Sequence, residues 1–161
     1  MTIAKALQWS KHTLQVHKVS DDGQTDSSGI DSKILLAASL ECEHTYLHTW
    51  PDRQLSDTQQ IRFEQYIQRR CTGAPVAYII GYRDFWSLTL KVSPATLIPR
   101  ADTECLVEHA LALSLKPNAK VLDLGTGTGA IALACASEKP SWHIIGVDKN
   151  HEAVQLAKQN A

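Results

Sequence analysis

The stretch VLDLGTGTGAIALA, residues 121–134, constrains this chain more than any other. A short apolar run meets three closely spaced glycines and then a helix-forming segment, the pattern of strand, tight turn and helix. Such a unit gathers backbone N–H groups and a helix N-terminus at the carboxyl end of a strand. Glycine there allows positive φ and lets a ligand approach the backbone without meeting a Cβ. The pattern then continues: a strand over 120–124, a helix over 130–138, Pro140, a strand over 142–147, Asp148, and a helix over 150–161 with Asn150 as its N-cap. This βαβα run reads as the opening of an open parallel α/β sheet.

Glycines alone do not choose a ligand, but three neighbouring features do. The spacing is Gly125-x-Gly127-x-Gly129, which differs from the G-x-G-x-x-G of a dinucleotide fingerprint. Asp123 stands just before the first glycine, where it would repel a pyrophosphate. It suits a ligand carrying positive charge, such as the ammonium and sulfonium of S-adenosylmethionine. Asp148 ends the second strand, 19 residues after Gly129, where a carboxylate can accept hydrogen bonds from two ribose hydroxyls. This set resembles motif I and its successor in class I S-adenosylmethionine-dependent methyltransferases. It disfavours a nicotinamide-dependent oxidoreductase.

Upstream, the first third reads as a small bundle of short amphipathic helices. TIAKALQWSKHTLQV is a first helix pattern, and VSDDGQTDSSG (19–29) is an acidic, polar loop. IDSKILLAASLECE (30–43) places Ile34, Leu35, Ala38 and Cys42 on one helical face. A short helix ends before Pro51, and Ser56 with Gln59 forms a capping-box pattern opening DTQQIRFEQYIQRR, which aligns Phe63, Tyr66 and Ile67. Gly73 and Pro75 interrupt the helical period. VAYII (76–80) then reads as a β-rich run, GYRD as a turn, and Trp86, Leu88, Leu90 and Val92 as the apolar side of a half-buried strand, giving a β-hairpin. Pro94 and Pro99 bracket an extended segment, after which Asp102 is expected to cap the helix TECLVEHALALSL.

Bulk properties exclude several classes. With 16 basic and 17 acidic residues and a net charge of −1, no overall field recruits nucleic acid or anionic membrane. The basic IQRRC (67–71) is read as two solvated arginines serving the helix dipole. The N-terminus lacks a signal-peptide h-region and no apolar run approaches a membrane span. Cys42, Cys71, Cys105 and Cys135 lie about thirty residues apart with no C-x-x-C, so reduced thiols in a cytoplasmic protein are expected and no metal site is indicated. His44 and His48 stand four apart, but Thr45 occupies the place of a zincin glutamate, so they are read as solvated. Trp50, Trp86 and Tyr82 are assigned to core packing.

The segments flanking the glycine turn narrow the substrate. GAPVAYIIGYRDFWSLTLKVSPATLIPRADTECLVEHAL (73–111), followed by motif I, resembles the protein-(glutamine-N5) methyltransferases of peptide chain release factors, the PrmC/HemK family. The matching blocks are GxPxAYIxGxxxF, LIPRxDTExLVE and motif I; together they cover about half the chain. The resemblance implies that a helical domain and hairpin recognise the release factor. It implies that the α/β domain holds S-adenosylmethionine, whose methyl group goes to the glutamine amide nitrogen of a GGQ motif. An amide nitrogen is a poor nucleophile, and enzymes of this type hold it in an Asn-Pro-Pro-Tyr motif that aligns it on the methyl carbon. By position, Gly125, Thr126, Gly127, Thr128 and Gly129 would wrap the donor and Asp148 would hold its ribose. Asp123 would lie near the charged end or brace the turn. Arg100, Asp102 and Thr103 match the family's turn before the first α/β helix, where they either border the donor pocket or serve as a plain extended entry with a cap. Ala101 stands where the family has proline, which loosens the turn by about 0.5–1 kcal/mol of chain entropy.

The resemblance also marks what is expected elsewhere. Asn-Pro-Pro-Tyr is not among these residues and belongs beyond Ala161, with the adenine-holding acid and further strands. The expected fold is an α+β to α/β arrangement: a helical substrate-recognition domain over 1–73, a β-hairpin linker over 74–97, and the incomplete start of an S-adenosylmethionine-binding domain over 98–161. No catalytic residue is assigned, and this part alone is expected to be inactive. Residues 1–97 are expected to fold and 118–161 to be marginal alone, because two parallel strands are too few for independent stability. The expected partners are release factors, with neither membrane nor direct nucleic acid. The alternatives are a release-factor-binding module without chemistry, or another Asn-Pro-Pro-Tyr methyltransferase acting on adenine or a different amide.

Overall fold

The structure, a computed structural model, describes residues 1–17 and 26–161, so the loop expected over 19–29 lies outside the described residues from 19 to 25. Its end departs from expectation, since Ser28 and Gly29 already belong to a helix. The chain divides into two compact units, Met1–Ile80 and Gly81–Ala161. No described helix is long and apolar enough to cross a membrane.

The first unit is helical: α1 (Ile3–Val16), α2 (Ser28–Leu40), α3 (His44–Thr49), α4 (Asp57–Cys71) and α5 (Val76–Ile80). Thr2 caps α1, and α4 opens with the expected capping box, Ser56 Oγ accepting from Gln59 N–H while Gln59 Oε1 accepts from Ser56 N–H. Ile3, Leu14, Leu35, Leu36, Leu47, Phe63 and Ile67 are buried together. Helix α2 packs against α1, α3, α4 and α5. With neighbours on several sides it has no single apolar stripe: Leu35, Leu36, Ala37 and Ser39 are buried, while Ile34 and Ala38 are only half-buried.

Two readings from sequence fail here for tertiary reasons. Val76–Ile80 is helical, not a strand. The Pro75 carbonyl accepts from the N–H groups of Tyr78 and Ile79, and Ala77 and Ile79 are buried. At the other end the Arg69 guanidinium donates to the carbonyls of Tyr78 and Ile79, supplying the partners a helix end lacks. Nor are the arginines of IQRRC a solvated pair. Arg70 is only 1% exposed; its Nε donates to Asp31 Oδ2 at 2.9 Å and its Nη1 to the Ala74 carbonyl. His44 and His48 are exposed, as expected of solvated side chains.

In the second unit, β1 (Tyr82–Phe85) pairs antiparallel with β2 (Leu88–Lys91), so GYRD is largely strand and the turn falls at Trp86–Ser87. Trp86 sits there at φ 57, a left-handed conformation that costs a bulky residue about 1–3 kcal/mol. Two carboxylates hold it: Glu104 Oε1 accepts the backbone N–H at 2.9 Å and Glu138 Oε1 the indole N–H at 2.8 Å. Trp86 is half-buried, whereas Tyr82 and Trp50 are exposed; the core assignment of these last two is wrong. A 3-10 turn, Ala101–Thr103, precedes α6 (Glu104–Ala112). Asp102 lies inside that turn and makes no side-chain cap, and the helix ends three residues before the apolar sequence does.

Then come β3 (Lys120–Leu124), α7 (Ala130–Glu138), β4 (His143–Val147) and α8 (His151–Asn160), with β3 and β4 parallel and in register from Lys120 against His143 to Leu124 against Val147. Asn150 caps α8 as expected, accepting from Glu152 N–H. Phe85, Leu90, Val107, Ala130, Ala134 and Cys135 form this unit's core. The opposite sheet face is bare: Leu122 lies beside Ile145 and Leu124 beside Val147, all between 40% and 74% exposed. All four cysteines are free thiols; burial pushes the pKa of Cys42, Cys71 and Cys135 upward, which keeps them protonated and unreactive.

Candidate functional site

The site is built where β3 ends. Gly125, Gly127 and Gly129 all adopt positive φ, at 77°, 55° and 84°. A turn with three left-handed residues in five excludes side chains at those positions, which is why the sequence reads G-x-G-x-G. Gly129 also caps α7, and a Cβ on it would come within 3.1 Å of Leu133 Cδ1.

Most polar groups of the turn are already committed. The N–H groups of Gly125 and Thr126 donate to the Val147 carbonyl at 2.8 and 2.9 Å, tying the turn to the end of β4. Gly129 N–H donates to the Thr126 carbonyl at 2.8 Å, and Gly127 N–H to Asp148 Oδ2 at 3.0 Å. Among the described residues, Thr128 N–H is the one amide of the turn with no internal acceptor. A phosphate cradle needs several convergent free amides; four of this turn's five are already bonded within the fold. What stands beside it instead are two carboxylates, Asp123 and Asp148.

Those carboxylates have distinct settings. Asp123 Oδ2 accepts from Thr126 Oγ1 at 2.7 Å, so Asp123 braces the turn. Asp148 is half-buried at the end of β4; its Oδ1 accepts from Asn150 N–H at 2.9 Å while Oδ2 accepts from Gly127. These backbone donors, Asn150 first and then Gly127, hold the Asp148 carboxyl below its ordinary value of 3.8. A pKa lowered in the folded state gives stability that is complete above the ordinary value and is lost as pH falls through the lower, folded one. The Gly127 amide resonance is therefore expected to stay fixed from pH 7 down past the ordinary carboxylate range and to move only below it. A shift already under way at pH 5 would contradict that bond.

The structure thus brings together Gly125, Thr126, Gly127, Thr128, Gly129, Asp148 and Asp123. It does not bring Arg100 or Asp102 to them: both side chains are exposed, and no described hydrogen bond joins either to the turn. Gly146 is part of the site although sequence reasoning passed over it. A Cβ there would lie 2.6 Å from Thr126 Oγ1 and 3.0 Å from its Cβ, so only glycine lets Thr126 seat against β4. The signal was present, since a glycine inside a strand marks a close backbone approach.

A parallel β-α-β-α unit with a glycine turn and an acidic strand end has the layout of a methyltransferase domain, and residues 115–161 match a family model described as a methyltransferase domain. Residues 5–81 match the PrmC N-terminal domain. The chain is 53% identical over 158 residues to the release factor glutamine methyltransferase of Shewanella oneidensis, covering 98% of this chain and 53% of that protein. It is 47% identical over 161 residues to the enzyme of that name from Vibrio cholerae, covering 100% of this chain and 54% of the relative. With the Escherichia coli K12 protein it shares 50% over 137 residues, 85% of this chain and 50% of that one. The chain belongs to the release factor glutamine methyltransferase family. It spans about half the length of the curated relatives it matches.

Proposed function

We propose that this chain supplies the release-factor-binding helical unit and the S-adenosylmethionine-binding turn of an enzyme that methylates the N5 amide nitrogen of the GGQ glutamine in peptide chain release factors. The observation that carries the donor reading is the state of the turn: four of its five amides are already bonded within the fold, and two carboxylates, Asp123 and Asp148, stand beside it. Acceptors suit a sulfonium and ammonium ligand, not a pyrophosphate. Gly125, Thr126, Gly127, Thr128 and Gly129 would line the methionine and ribose portion. Asp148, oriented by two backbone N–H groups, would spend its remaining lone pairs on the ribose hydroxyls. When bound, the donor supplies an electrophilic methyl group; the turn's part is to hold and orient it.

These residues contain no Asn-Pro-Pro-Tyr, so transfer by this stretch alone is not expected, and the cytoplasm is the expected setting. Calorimetric titration with S-adenosylmethionine tests the reading, using this chain and its Asp148→Ala variant. Binding in the parent that weakens roughly 10- to 100-fold in the variant is expected, the effect of removing hydrogen bonds to a charged acceptor. Equal affinity in both would overturn the assignment of Asp148.

A further inference from the structure

Asn160, near the end of α8, makes three hydrogen bonds through one planar carboxamide. Its Oδ1 accepts from Lys91 N–H at 2.8 Å, and its Nδ2 donates to the Lys91 carbonyl at 3.1 Å and to the Thr128 carbonyl at 2.9 Å. The first two bonds follow from the hairpin's register. Val92 N–H donates to the Gly81 carbonyl within the ladder, so the adjoining Lys91, opposite Tyr82, turns both its N–H and its C=O to the outer edge. The carboxamide of Asn160 takes that edge as a neighbouring strand would. Its third bond reaches the peptide between Thr128 and Gly129, in a turn whose flanking glycines are left-handed and where Thr128 is only 3% exposed.

At the opposite end of α8, Asn150 Nδ2 donates to the Ala95 carbonyl at 3.2 Å, while Asn150 N–H is the first donor to Asp148. Helix α8 therefore holds the strand-and-turn segment 91–95 at both ends, and at each end the same asparagine touches the glycine turn or the carboxylate bonded to it.

We propose that Asn160 is a positioning residue of the site: its carboxamide locks the outer edge of β2 to the glycine turn, so that the order of the turn depends on the hairpin. Its bearing on the methyl donor rests on the reading given above, but the coupling itself needs no ligand and is measured without one. An asparagine fits this place because both carboxamide faces are needed, one acceptor and two donors; aspartate keeps the shape and sets a second acceptor against two carbonyls.

The test is amide hydrogen exchange on this chain, followed residue by residue for the parent, Asn160→Asp and Asn160→Ala. Both variants are expected to exchange roughly tenfold faster at Lys91, Gly127 and Gly129, the effect of losing net hydrogen bonds of ordinary strength, while the interior amides of α7 keep their parent rates. Acceleration at Lys91 alone would overturn the proposal, leaving Asn160 as a hairpin pin only. Uniform acceleration including α7 would also overturn it, because that is the mark of a merely structural residue. Denaturant dependence of exchange in the parent supplies a check that needs no variant. Lys91, Gly127 and Gly129 are expected to open as one cooperative unit, and separate opening of Lys91 would sink the coupling.

Discussion

Replacing Asp31 by alanine is expected to destabilise the helical unit by about 3–5 kcal/mol, a large share of the roughly 5–15 kcal/mol that holds an ordinary domain folded. The carboxylate is 7% exposed and meets Arg70 Nε at 2.9 Å, and Ser27 Oγ donates to the same oxygen. Without it a guanidinium that is 1% exposed loses a carboxylate bonded directly to its Nε and cannot give up its proton. The size of the effect comes from weakening the compensation of a buried charge more than from the worth of the pair. A double replacement, Asp31→Leu with Arg70→Met, removes both charges and is expected to cost less than Asp31→Ala alone. Urea unfolding followed by helix circular dichroism separates the cases. A loss below 1 kcal/mol for Asp31→Ala would show that water reaches the pair.

The second large effect is expected at Gly146. An alanine there places its Cβ 2.6 Å from Thr126 Oγ1 and 3.0 Å from Thr126 Cβ. Thr126 has little room to yield, since its hydroxyl is engaged by Asp123 and its N–H by Val147. Overpacking of this kind costs about 1–3 kcal/mol, and here the strain falls on the turn itself. Gly146→Ala is therefore expected to lower the unfolding midpoint of the second unit and, on the donor reading proposed above, to weaken S-adenosylmethionine binding at least tenfold, a loss of about 1.4 kcal/mol. Thr126→Gly in the same chain removes the obstructing atoms and is expected to recover the midpoint. Unchanged stability in Gly146→Ala would mean that β4 and the turn can slide apart freely.

What was legible in the sequence follows from the range of the interactions. The glycine turn, its strands and α7 were readable because positive φ, period and spacing are local, and the same holds for the capping box of Ser56 and Gln59. The family resemblance rested on blocks of the same local kind. Interactions between distant residues were not readable. Nothing near Arg70 announces Asp31, 39 positions earlier, so a buried ion pair passed for a solvated basic patch. Asn160 looks like an ordinary helix-end amide until Lys91, 69 residues away, is folded against it. Val76–Ile80 has β-branched composition, yet Pro75 before it and Arg69 over its last carbonyls make it a helix, a case of tertiary context overriding propensity.

That short helix has a consequence for how safely the chain can be handled. Val-Ala-Tyr-Ile-Ile is uncharged, apolar and free of proline, the composition from which intermolecular β-structure is built when such a run is extended and exposed. Folded, its carbonyls at Tyr78 and Ile79 are taken by a guanidinium from α4, so the groups a neighbouring chain would seek are occupied. The hazard is thus confined to the time before α4 and α5 meet, and a slow approach to that contact would favour aggregates over native chains.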